Sequence, residues 1–169
     1  MKKYFLFTDG ACSGNPGKGG WAAILKITNT ENSEKIIEER LFGAYERTTN
    51  NRMELMALIK GLENVEDGSQ VNVFTDSQYI VNALTKGWLV AWQQKGWKTA
   101  GKKPVANKDL WQKVIGHIAR LKISPSWVRG HDGHPENELC DKLAVDAYLK
   151  GPYDKDLGYL KSGMQGSML

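Results

Sequence analysis

The sequence predicts an α/β domain, a five-stranded sheet flanked by helices, on three observations. The run Tyr4-Phe5-Leu6-Phe7-Thr8-Asp9-Gly10 is apolar and aromatic-rich and stops at Asp-Gly, the pattern of a strand buried on both faces that ends in a turn. A near copy of that ending recurs in Val71-Asn72-Val73-Phe74-Thr75-Asp76, followed at once by the polar Ser77-Gln78. Between and after these runs lie segments whose apolar residues repeat with a helical period. If the two Phe-Thr-Asp strands lie parallel and adjacent, Asp9 and Asp76 emerge side by side at their carboxyl ends, where open α/β sheets place ligands. Two carboxylates so placed repel each other, and a shared proton or a divalent cation relieves the strain.

The chain has 169 residues, one domain's worth, with 41% hydrophobic and 25% charged residues. Neither disorder nor membrane insertion fits that composition. Met1-Lys2-Lys3 followed by an apolar run looks like a signal peptide, but the run meets Asp9 too soon to be one. Cys12 and Cys140 are the only cysteines and form no Cys-x-x-Cys pair, which argues against a disulfide framework or a zinc ribbon. A cytoplasmic location is expected. The net charge of +4 is unevenly spread: from Ser77 to Lys108 there is no acidic residue, yet Lys86, Lys95, Lys98, Lys102, Lys103 and Lys108 lie there. Without those six lysines the acids would outnumber the bases, so a slightly acidic body carries one basic segment.

After the first strand, residues 10–20 form a glycine-rich stretch read as a flexible loop, with Asn15 free to approach a ligand. Gly17-x-Gly19-x-x-Ala22 formally matches a dinucleotide fingerprint, which requires a helix next. The following Trp21-Ala22-Ala23-Ile24-Leu25-Lys26-Ile27 reads as a strand instead. A polar turn over residues 29–33 and a strand over 35–43 complete an antiparallel hairpin. Residues 49–63 form an amphipathic helix with Leu55, Leu58, Ile59 and Leu62 on its buried stripe. Glu54 lies three residues after Asn51, so it is either a reciprocal helix cap or a third acidic ligand beside the central strand. Taken alone, the cap is favoured.

The second Phe-Thr-Asp strand leads into a short helix through Tyr79, Ile80, Val81, Ala83 and Leu84, broken at Gly87. Trp88 and Trp92 then stand at i and i+4, and Lys95-Gly96-Trp97-Lys98 opens a basic loop reaching Lys103-Pro104. These aromatics either pack on their own base or, with the lysines on phosphates, stack on nucleic acid; the lack of acids favours the second. Asn107 is read as the cap of a helix carrying Leu110, Trp111, Val114, Ile115, Ile118 and Leu121. A last short strand, Ser126-Trp127-Val128-Arg129, ends in Gly130-His131-Asp132-Gly133-His134-Pro135, where a further helix opens. That helix carries Leu139, Cys140, Leu143, Ala144 and Ala147 on its apolar side and Asp141 in its second turn. His131 and His134 form a His-x-x-His pair without further zinc ligands nearby, so one is read as catalytic and the other as structural. Residues 1–150 are expected to form a single domain and residues 151–169 a loose tail.

Four acids therefore fall at element ends: Asp9 and Asp76 after strands, Glu54 and Asp141 in helices. With their neighbours they make up Phe7-Thr8-Asp9-Gly10, Gly14-Asn15-Pro16-Gly17, Thr49-Asn50-Asn51-Arg52-Met53-Glu54-Leu55, Thr75-Asp76-Ser77-Gln78-Tyr79 and Gly130-His131-x-Gly133-His134-Pro135-x-Asn137-Glu138-Leu139-Cys140-Asp141. These five motifs, in this order from about Lys3 to Tyr148, resemble type 1 ribonuclease H in its bacterial form. The resemblance implies the ribonuclease H-like fold, a mixed sheet whose hairpin strands run antiparallel to the first and whose later strands run parallel to it.

The resemblance further implies that Asp9, Glu54, Asp76 and Asp141 bind metal and that His131 is the catalytic histidine. Asn15, Thr49, Asn50, Asn51 and Gln78 would contact substrate, the asparagines and Gln78 in the minor groove of an RNA–DNA hybrid. The basic stretch with Trp88, Trp92, Lys95, Trp97, Lys98, Lys102 and Lys103 is similar to the protrusion that grips the DNA strand. The implied activity is hydrolysis of the RNA strand to 5′-phosphate and 3′-hydroxyl ends, with two Mg²⁺ ions, Mn²⁺ being a possible substitute. Oxygen donors suit that ion. Asp9 would bridge the two ions, Asp141 would hold the one that activates water, and Glu54 and Asp76 the one beside the leaving 3′-oxygen. His131 could shuttle a proton or assist product release. A monomer without obligatory protein partner or membrane association is expected. Two alternatives stand beside this: a non-catalytic hybrid-binding module, which four bare acids disfavour, and another metal-dependent nuclease or strand-transfer enzyme on the same scaffold.

Overall fold

The computed structural model describes residues 2–29, 31–129 and 134–167. Its centre is a mixed sheet built from β1 (Lys2–Cys12), β2 (Gly17–Asn29), β3 (Asn32–Thr48), β4 (Gln70–Thr75), β5 (Lys122–Trp127) and β6 (Tyr153–Asp154), in the order β5-β4-β1-β2-β3-β6. β1, β2 and β3 form an antiparallel meander, and β4 and β5 run parallel to β1 on its other side. The helices are α1 (Asn50–Leu62), α2 (Gln78–Thr85), α3 (Trp88–Gln94), α4 (Lys108–Arg120), α5 (Pro135–Lys150) and α6 (Leu157–Ser167).

Alternation along β2 shows why the sheet is covered on both faces. Trp21, Ala23 and Leu25 point into the larger core with Tyr4 and Leu6 of β1, Leu55, Leu58 and Leu62 of α1, and Trp111 and Val114 of α4. Ala22 and Ile24 point the other way, into a small cluster closed by Cys140 and Ala144 of α5. β2 is thus the strand most fully buried on both faces. In β1 the Tyr4, Leu6 and Thr8 face is buried, whereas Phe5 and Phe7 are half-buried. At about 1.5 to 3 kcal/mol for each fully buried large apolar side chain, most of the packing stability lies on the α1 side. α1 is therefore a firm base for whatever it presents to the end of β1.

The glycine-rich stretch is not a loop. β1 runs on to Cys12 and β2 begins at Gly17, so only residues 13–16 turn. Its glycines are points of close approach: a Cβ on Gly10 would lie 2.5 Å from the backbone N of Glu54 and 2.6 Å from the carbonyl carbon of Met53. Gly20 sits equally tightly under Ala144 of α5. Pro125 is tolerated inside β5 because that strand is the sheet's edge.

Part of the segment expected to be a loose tail is built into the fold. β6 pairs with β3 through Ala44–Tyr153 and Tyr45–Asp154, which makes six strands where five are expected. Just beyond it Asp156 is 3% exposed. Its carboxylate accepts from Thr48 Oγ1 at 2.7 Å and from Arg52 Nε at 2.8 Å, while the same guanidinium grips Asp109 at 2.7 and 2.8 Å. A buried carboxylate needs such partners, and here they come from β3 and α1, with Arg52 in turn held by Asp109 of α4. No helix among the described residues is long and apolar enough to cross a membrane.

Candidate metal centre and nucleic-acid face

β1 and β4 pair in parallel register through Phe7 and Phe74, whose rings stack at 5.0 Å. Two residues beyond each phenylalanine stands an aspartate, so the shared Phe-Thr-Asp ending delivers Asp9 and Asp76 to the same edge. α1 brings Glu54 there because Gly10 lets the helix backbone press onto β1. The reading of Glu54 as a cap with Asn51 does not hold. The cap is Thr49, whose Oγ1 accepts from Arg52 N at 3.3 Å, and Glu54 lies a turn further in, 4% exposed.

One carboxylate oxygen from each of Asp9, Glu54 and Asp76 lies within 4.8 Å of the others. Burial, reinforced by the charges of Asp76 and Asp141, pushes the Asp9 carboxyl up to about 8. Burial and then the charges of Asp9 and Asp76 hold Glu54 well above the usual carboxylate range, and the hydrogen bond between Asp9 and Glu54 favours the proton on Glu54. Without a cation the cluster thus relieves its repulsion by keeping protons. Glu54 Oε2 is buried and has no hydrogen-bond partner among the described residues. A buried carboxylate with an orphaned oxygen, in a group with two further hard oxygen donors, fits a divalent cation such as Mg²⁺ or Mn²⁺.

Asp141, half-buried beside Cys140 on α5, lies outside that tight group yet is near enough to raise Asp9. Its helix is fastened to the strand ends: Cys140 Sγ donates to Phe7 O at 3.3 Å and Asn137 Nδ2 to Phe74 O at 3.2 Å. His134 is the residue at which α5 starts. His131 and the rest of residues 130–133 lie outside the described residues.

Asn15, in the turn between β1 and β2, accepts from Asn50 N at 3.1 Å, which joins that turn to the start of α1. Asn50 and Asn51 are exposed on α1 just after its Thr49 cap, and Gln78 is exposed at the start of α2. In the basic segment Trp92 lies 6.0 Å from Trp88, 6.3 Å from Trp97 and 5.6 Å from Trp111, against the core. Trp88, Trp92 and Trp97 remain half-buried, and Lys95, Lys98, Lys102 and Lys103 are exposed around them. Trp88, Trp92, Lys95 and Lys98 line an open groove of about 360 Å³. Positive φ at Gly96, Trp97 and Lys102 makes the tight turns that crowd these lysines together. Asn107 precedes α4 but does not cap it with its side chain, which reaches Arg52 and Tyr79 instead.

Sequence reasoning missed Trp127. At the end of β5 its indole Nε1 donates to Asp76 O at 3.1 Å while the residue stays 45% exposed.

Known proteins with this pattern are consistent with one another. The family described as RNase H matches residues 1–148. A ribonuclease H from Oleidesulfovibrio alaskensis is 53% identical over 156 residues, 92% of this chain and 97% of that protein. LC9-RNase H1, a type 1 RNase H with the type 2 active-site motif, superposes with a TM-score of 0.78 at 30% identity, over 87% of this chain and 72% of that one. LC11-RNase H1, solved in complex with an RNA/DNA hybrid, shares the fold with a TM-score of 0.62 at 24% identity, over 87% of this chain and 97% of that one.

Proposed function

Because the chain belongs to the RNase H family, we propose that it is an endonuclease hydrolysing the RNA strand of RNA–DNA hybrids, leaving 5′-phosphate and 3′-hydroxyl ends. The observation that carries the reading to chemistry is the convergence of Asp9, Glu54 and Asp76, the first two buried and the third half-buried, with the orphaned oxygen of Glu54. A binding module gains nothing from gathering three acids where a polyanion must approach.

Asp9, Glu54, Asp76 and Asp141 would hold two Mg²⁺ ions, Asp9 touching both. Such a pair supplies an activated water, charge relief on the phosphoryl oxygens and a stabilised leaving 3′-oxygen. The protein's share is to fix the carboxylates on strand ends and packed helices, so that little reorganisation is needed at reaction. His131 would move a proton or assist product release. Asn15, Asn50, Asn51 and Gln78, which are exposed, would meet 2′-hydroxyls and sugar edges, with Thr49 capping α1. Contacts of this kind position a strand without reading its bases, so sequence preference is weak. The groove beside Trp88 and Trp92, with Trp97 behind it and Lys95, Lys98, Lys102 and Lys103 around it, would take the DNA strand. The reading includes a single catalytic domain that extends past residue 150 to take in β6 and Asp156, a monomeric enzyme and action in the cytoplasm.

End-labelled RNA annealed to DNA, the same RNA alone, and the same RNA paired to RNA test it, each with Mg²⁺ and with EDTA. Cleavage of the hybrid alone, abolished by EDTA, is expected. Tight hybrid binding without a cut in Mg²⁺ or Mn²⁺ would overturn the reading in favour of a non-catalytic module.

A further inference from the structure

We propose that Trp127 is a positioning residue for Asp76: its indole N–H fixes the peptide that carries this aspartate, and so sets how the carboxylate meets a cation beside Asp9. The proposal rests on the reading of Asp76 as a metal ligand.

Asp76 occupies the one place in the trio that regular structure does not fix. Thr75 is the last residue of β4, paired with Trp127 of β5, and Ser77 is already the cap of α2, its Oγ accepting from Ile80 N at 3.2 Å. Asp76 lies between ladder and helix, so its backbone torsions help decide where its side chain points. Among the bonds that hold this turn, Val128 N donates to Thr75 O at 2.9 Å, Ser77 N donates to Thr75 Oγ1 at 3.1 Å, and Trp127 Nε1 donates to Asp76 O at 3.1 Å. The first two fix the residue before Asp76 and the one after it. The indole bond acts on the carbonyl of Asp76 itself.

The exposure of Trp127 supports the same role. Trp127 leaves 45% of its surface in water at the edge where the carboxylates stand, so its ring contributes less packing than that of Trp111 at 0% exposure. What it places securely is its N–H. An error of about 1 Å in a ligand is enough to loosen a site that must hold near-ideal octahedral geometry.

The test is Mn²⁺ titration by calorimetry on the full chain without nucleic acid, with thermal unfolding and with kcat and KM on hybrid measured in parallel. The variants are Trp127→Phe, Trp127→Leu and Asp76→Asn. Both Trp127 variants lack the donor, and the leucine keeps a strand-compatible side chain should the phenylalanine variant be unstable. Expected is a Kd for Mn²⁺ about three- to tenfold weaker in the Trp127 variants, the scale of one lost hydrogen bond, with KM unchanged and the unfolding temperature lowered by no more than about 2 to 6 °C, so that the chain is folded where binding is measured. Asp76→Asn loses the binding. Wild-type Mn²⁺ affinity in the Trp127 variants, with loss in Asp76→Asn, overturns the positioning role and leaves the ligand reading intact. Wild-type affinity in all three overturns both. A raised KM with unchanged Mn²⁺ affinity makes the ring a substrate contact and also overturns the proposal.

Discussion

The carboxyl of Asp9 is pushed up to about 8 in the folded chain, from an ordinary 3.8, by burial and by the charges of Asp76 and Asp141. The folded state therefore holds a proton that the unfolded state releases between about pH 4 and pH 8. Stability from this group is full below the unfolded value and is lost as pH rises through the folded one. Asn at this position keeps an oxygen for Gly10 N, which donates to Asp9 Oδ1 at 2.9 Å, and removes the charge. In EDTA, Asp9→Asn should thus match wild type at or below about pH 4, gain on it as pH rises, and exceed it by about 1 to 3 kcal/mol at pH 8 to 9, read from thermal unfolding. Hydrolysis should be lost. Equal stability at high pH would mean that the buried charge carries no penalty. Of the trio, Asp9 and Asp76 were legible because each closes a Phe-Thr-Asp strand. Glu54 was ambiguous, since sequence spacing cannot say whether Thr49 or Asn51 caps the helix. Trp127 was invisible, because its acceptor is a main-chain carbonyl fifty-one residues away.

Elements meet here through glycines and through one buried ion cluster, and both were misread from sequence for the same reason. A local pattern reports what a residue does for its own chain segment, whereas these residues serve a distant one. Gly10 looked like turn chemistry, yet it sits in β1 to let α1 press against the strand. Gly10→Ala should force the helix off the strand, cost about 1 to 3 kcal/mol as overpacking does, and cut cleavage by displacing Glu54. Gly116→Ala, inside α4 with nothing within 4 Å of its Cβ, should instead stabilise by about 0.5 to 1 kcal/mol. Equal effects at the two positions would sink the close-approach account. Similarly, the segment after Gly151 read as polar and loose because the partners of Asp156 lie about 50 to 110 residues back, at Thr48, Arg52 and, through Arg52, Asp109. Asp156→Ala leaves a buried guanidinium half-paired and should cost about 3 kcal/mol. That is a fall in unfolding temperature of about 6 to 12 °C for a chain of this size. The hairpin, the α1 stripe and the parallel pair were legible because period and strand endings are local signals.

Across the whole molecule charge is segregated, and this gives the substrate a direction of approach. The acids that matter chemically are buried or half-buried at the sheet's end, while Lys95, Lys98, Lys102 and Lys103 of the basic segment are exposed around a base of packed tryptophans. Bare carboxylates repel a polyanion, so the body alone gains little from binding, and the free energy of capture has to come from the lysines. Each lysine that sits on a phosphate releases counterions, which steepens the fall of affinity with salt by about 0.9 in the log–log slope on B-form duplex. Replacing Lys95, Lys98, Lys102 and Lys103 together by alanine should therefore raise KM for a hybrid about tenfold or more at low salt. The slope should flatten by up to about 3, and the two proteins should converge at high salt. The turnover number should hold, because the trio is built on β1, α1 and β4, elements that contain none of these lysines. Stability should hold as well, since none of the four lysines is among the buried residues. A raised KM with the original salt slope would mean that the lysines shape the groove rather than meet phosphates, and capture would then belong to the tryptophan faces.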